Sequence, residues 1–118
     1  MNSMDLALTS LDFYESEILK LEKKHLLNTH KLQIASSKNL KIKASFIKNM
    51  IKCIDALVVL YHKKINCIDD LILFKKEFVD SPPQKAPTDS SLFAMKNTMS
   101  TLIQVIRSYK STLLLFLA

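Results

Sequence analysis

Between Leu40 and Val79, apolar residues recur at every seventh position in three adjoining columns. Phe46, Cys53, Leu60, Cys67 and Phe74 form the first, and Ile47, Ile54, Tyr61 and Ile68 the second. The third holds Met50, Leu57, Leu71 and Phe78, with Lys64 as its one polar member. A seam for one partner helix uses two columns; three adjoining columns make a face wide enough for two partners. The segment 40–79 therefore reads as the centre of a helical bundle, with other helices packed around it.

The flanking segments carry narrower seams. A first helix is expected over about 4–36, on Met4, Ala7, Leu11, Tyr14, Ile18, Leu21, His25, Asn28, Leu32 and Ala35. His25 and Asn28 interrupt it, and a polar residue in such a seam fixes register and partner at some cost in stability. Asp5, Asp12, Glu15 and Glu17 precede Lys20, Lys23, Lys24 and Lys31, the order that the helix dipole favours. Ser36 to Asn39 is the first break, where Asn39 suits a left-handed C-terminal cap. Ser81 to Asp89, with Pro82, Pro83 and Pro87, is a loop. Asp89 or Ser90 then caps a last helix over about 90–117. Its seam is wholly apolar: Leu92, Met95, Met99, Leu102, Ile106, Tyr109, Leu113 and Phe116.

Within the central segment, Lys63-Lys64-Ile65-Asn66 with Asp69 three residues on has the form of a helix stop and restart, giving helices 40–64 and 67–80. Against this, the heptad phase passes through unchanged, as in one helix of about sixty ångströms. The expected fold class is an all-α antiparallel helical bundle, with three long helices, or four if the central one breaks near Asn66.

Length and composition narrow the chemistry. The 118 residues suit one domain, 1–118, able to bury a core without disulfides or metal. There is no glycine, so the tight turns of β-hairpins, phosphate loops and nucleophile elbows have no residue to make them. Cys53 and Cys67 stand fourteen residues apart, about 21 Å on a continuous helix, which is too far for a disulfide. Both read as small buried residues. The acidic N-terminal stretch lacks the form of a signal peptide, and no apolar run approaches the ~18 residues of a membrane span. A soluble, cytoplasmic protein is expected, in its own cell or in one into which it is delivered.

No catalytic, cofactor-binding or metal-ligating set emerges, so the chain is not read as an enzyme. Glu22 and His25 form one Glu-x-x-His pair, but di-iron bundles need two such pairs and further carboxylates. Arg107, the one arginine, has no histidine following it in the spacing of helical ribonucleases.

Two features remain. The net charge of +6 is uneven: residues 1–19 carry −4 and residues 20–64 carry +9. Apolar residues also exceed what the seams use, with Leu6, Phe13, Leu27, Ile34, Val59, Ile72 and Leu115 off the main faces and 113–118 apolar all round. This excess points to a small non-enzymatic protein-binding module: an adaptor, secretion chaperone, inhibitor or immunity-type protein. Phe13, Leu27, Leu114, Leu115 and Leu117 would meet a protein partner or a second copy, as in a homodimer. The alternative is a Lys-rich binder of nucleic acid or an anionic surface, through Lys41, Lys48, Lys52, Lys63 and Lys64. With sixteen lysines and one arginine, sequence-specific base reading is not expected.

Overall fold

The computed structural model describes residues 3–34, 40–77 and 87–117. Apart from Pro87 and Thr88, these residues form three helices: α1 (Ser3–Ile34), α2 (Leu40–Glu77) and α3 (Asp89–Leu117). The expected cap at Asn39, the seam ends Ala35 and Phe78, and loop positions 81–86 lie outside the described residues. No described residue has a positive φ, in keeping with a chain that has no glycine.

The fold is an all-α bundle 65 Å long and 22 × 17 Å across, and α2 is its spine, with α1 and α3 each packed against it. Ion pairs and hydrogen bonds set the direction of α3. Asp55 meets Lys110 at 2.6 Å, His62 meets Arg107 at 3.4 Å, Asp69 meets Lys96 at 2.7 Å and Lys75 meets Asp89 at 3.0 Å. Partners fall along α3 as they rise along α2, so the two run antiparallel. Asp55, His62 and Asp69 are themselves a heptad column on the rim of the α2–α3 seam. Two sulfur contacts give α1 the same antiparallel sense: the Cys67 thiol donates to the Ala7 carbonyl at 3.1 Å, and the Cys53 thiol to the Leu21 carbonyl at 3.5 Å. The cysteines are free and buried on the column that faces α1, and burial raises the pKa of both thiols.

Helix α2 passes through Asn66 without interruption, so the three-helix alternative holds and the stop-and-restart reading gives way. Asn66 is exposed and leaves the ladder undisturbed, while Ile65, Cys67 and Ile68 on either side continue the packing columns. Packing on two partners outweighs a local stop signal. At the start of α3, Thr88 takes the cap expected of Asp89 or Ser90: its hydroxyl accepts the Ser91 amide at 3.2 Å. Asp89 lies in the first turn and pairs with Lys75, which also donates to the Pro87 carbonyl. One lysine therefore ties the entry of α3 to the last turns of α2.

Lys64 divides the core. It is only 9% exposed and its ammonium lies 3.6 Å from Glu15. On one side Met4, Ala7, Leu11, Cys67, Ile68, Leu71 and Leu92 form one cluster. On the other, Ile18 joins the α2 residues Ile47 to Tyr61 and the α3 residues Met99 to Leu113 in a second. The polar pair stands at the level between them.

Candidate functional site: the basic end and the tip of α3

Charge also divides along the rod, close to the level of Lys64. The half containing residues 3–19, 64–77 and 87–102 has eight acids and four lysines, for a net charge of −4. The half containing 20–34, 40–63 and 103–117 has eleven cationic residues against Glu22 and Asp55, for a net charge of +9. Both of those acids are engaged: Glu22 accepts the Tyr61 hydroxyl at 2.8 Å, and Asp55 holds Lys110. Burial, and then Glu22, hold the Tyr61 phenol well above its ordinary pKa. Lys23, Lys24, Lys31, Lys48, Lys52 and Lys63 make no ion pair with a described carboxylate.

The last turns of α3 lie in this basic half. Leu113 is buried, and Leu117 packs partly against the core one turn later. An α-helix puts i and i+4 on one stripe, so the three residues between them turn away from it. Leu114, Leu115 (76% exposed) and Phe116 (64% exposed) accordingly stand in solvent together. The Ser111 and Thr112 hydroxyls bond back to the carbonyls of Arg107 and Ser108, both at 3.2 Å, and so leave the surface apolar here.

The start of α2 borders this patch. Lys43 places its ammonium 5.6 Å from the centre of the Phe116 ring, a cation–π distance. Lys43, Ala44, Ile47, Lys48, Phe116 and Leu117 line a groove of about 370 Å³. Among the described residues no carboxylate side chain lines it. The tip is an apolar surface edged by two lysines, a combination that accepts an apolar group with an anionic neighbour.

The residues singled out in the sequence divide as follows. Leu114 and Leu115 are in the patch. Leu117 is not a free contact, because it packs partly on the core; Phe116 takes its place outside. The strict seven-residue reading put Phe116 in the seam, but a straight α-helix drifts by about 20° per heptad, which by this point brings Leu117 inward instead. Phe13 and Leu27 are exposed, as expected, but they lie on the outer face of α1 and not beside the α3 tip. Ile72, read as off-seam, packs against the smaller core cluster.

Among the lysines, Lys48, Lys52 and Lys63 are exposed, spread over about 22 Å of α2. Lys52 shares a groove of about 350 Å³ with Lys24, Asn28 and Asn49. Lys64 leaves the set, being buried and paired with Glu15. The side chain of Lys41 lies outside the described residues.

Glu22 is bound to Tyr61, and His25 stacks edge-on with Tyr109 at 5.6 Å between ring centres. Arg107 and His62 do meet, from two helices and not one, as an exposed pair. Among the described residues no three His, Cys, Asp or Glu side chains lie together as metal ligands would. No described helix is long and apolar enough to cross a membrane. No protein-family model matches the sequence, and no curated protein or solved structure matches it either.

Proposed function

We propose that this chain is a small non-enzymatic protein-binding module of the adaptor, chaperone, inhibitor or immunity kind, and that the tip of α3 takes the partner. The observation that carries this reading is the joined patch of Leu114, Leu115 and Phe116 beside Lys43 and Lys48. Exposed apolar residues scattered singly need no explanation, but three adjoining ones do. The matching partner surface is an amphipathic helix with an apolar face and acidic flanks. The apolar contacts would supply affinity and the lysines would orient the encounter.

The test is capture from a lysate of the native host at low and high salt, with the wild type and Leu115→Asp side by side. This reading expects a stoichiometric protein that survives high salt on the wild type and is missing from the variant. A partner retained equally by both proteins contradicts it.

The net charge of +9 on one half supports a second reading, the binding of nucleic acid through Lys48, Lys52 and Lys63. That reading expects affinity to fall steeply with salt as counterions are released. It also expects Lys52→Glu to weaken binding where Leu115→Asp does not.

A further inference from the structure

Leu6, Phe13 and Leu27 are each more than half exposed and share one seven-residue column of α1 with Lys20; Leu6, at its head, borders a groove with Asn66 and Phe74 of α2. Residues at this spacing line up along a helix as one column of the kind that meets another helix. The column is symmetric about Lys20, with Phe13 seven residues before it and Leu27 seven residues after it. The charge on α1 is antisymmetric about nearly the same point. Asp5, Asp12, Glu15 and Glu17 lie before it, and Lys20, Lys23, Lys24 and Lys31 follow. The one acid beyond it, Glu22, is occupied by Tyr61. Lys20 itself is paired with Glu17 of its own helix at 3.2 Å.

We propose that a second copy of this chain covers the outer face of α1, with the two α1 helices antiparallel about a twofold axis near Lys20. In that arrangement Phe13 packs against the partner's Leu27, and by symmetry Leu27 against the partner's Phe13. Glu17 faces the partner's Lys24, which lies on the same flank of the column and at nearly the same level. Lys24 has no described carboxylate in its own chain. A parallel pair would set the acidic stretch against its own copy, so charge selects the antiparallel one. The surface is separate from the tip of α3, and the proposal does not depend on what the tip binds.

The experiment combines sedimentation with cysteine cross-linking. At about 200 μM protein and low salt, the wild type is expected to be dimeric with a micromolar dissociation constant. Phe13→Glu and Leu27→Glu, both at exposed sites, should weaken the dimer at least about tenfold while leaving unchanged the melting curve of the dilute, monomeric protein. Introduced thiols report direction, because the native Cys53 and Cys67 are buried. Lys20→Cys sits near the axis and should form a disulfide-linked dimer on oxidation. Leu6→Cys stands fourteen residues from Lys20; an antiparallel pair then separates its two copies by about 42 Å and leaves it unlinked. A wild type that is monomeric at this concentration overturns the proposal. Cross-linking of Leu6→Cys as efficiently as Lys20→Cys also does so, and so does a dimer that Leu115→Asp dissociates and Phe13→Glu does not.

Discussion

In the acidic half of the bundle, Met4, Ala7 and Leu11 bury α1 against Cys67, Ile68, Leu71 and Leu92. In the basic half, no described residue of α1 beyond Ile18 is buried; Leu21 and Leu32 are only partly covered. Helices α2 and α3 are no less firmly packed there, through Ile47, Met50, Ile54, Leu57, Ile103, Ile106 and Leu113. The difference lies in α1. Its seam in the basic half contains His25 and Asn28, and His25 Nδ1 and Asn28 Nδ2 are buried without hydrogen-bond partners. Unmet polar atoms of this kind cost stability. The same half carries the net charge of +9 and the exposed tip of α3. The burial of α1 and the excess of positive charge are thus separated along one rod: the acidic half anchors α1, and the basic half holds the unpaired lysines.

The comparison breaks most visibly in α1 itself. Leu11→Ala removes a side chain buried in the smaller cluster and should cost about 2–4 kcal/mol, whereas Leu32→Ala in the basic half should cost about 1 kcal/mol, because Leu32 is only partly covered. Urea unfolding of the two variants measures this directly, and equal losses would remove the contrast between the halves. A gain of about 1 kcal/mol or more is expected from Lys64→Met, which replaces the buried ammonium between the two clusters with an apolar chain of similar length. Its midpoint should rise in the same unfolding assay; a fall would mean that the pair with Glu15 stabilises more than its burial costs.

A smaller effect is expected at His25. Burial lowers its pKa in the folded protein, so below its ordinary range the unfolded chain binds more protons than the folded one. Stability is therefore complete above the unfolded pKa of about 6.5 and declines as pH falls through it. The other groups around the ring are Tyr109 of α3 and Thr29 of α1, whose hydroxyl bonds the His25 carbonyl. Thermal melts between about pH 7 and 5 should fall less steeply for His25→Phe than for the wild type.

Much of this fold was legible in the sequence because α2 serves two partners. Its three columns are wide enough to declare that role, and Lys64 stood out as the polar member of one of them. The columns understated the face: Ile51, Val58 and Ile65 pack partly against the larger core cluster as a fourth column, since a helix held from two sides covers more than a heptad seam does. Continuity at Asn66 was not legible locally, because an exposed asparagine beside two lysines looks the same in a helix and at its end. The candidate site was half legible. Apolar excess marked Leu114 and Leu115, but the exchange of Phe116 for Leu117 follows from the drift of a 3.6-residue helix against a seven-residue count. The approach of Lys43 to Phe116 depends on how α2 and α3 align, and their ladder of polar pairs fixes that alignment across sequence distances that no local pattern reports.

The most direct test of the contrast places a photo-reactive amino acid at Leu115 in the basic half and, separately, at Phe93, an exposed residue of α3 in the acidic half. Both proteins are irradiated in native lysate. The account predicts one dominant protein adduct from Leu115 that Phe93 does not form. The same adducts from both positions, or adducts from Phe93 alone, would contradict the assignment of the partner surface to the basic end.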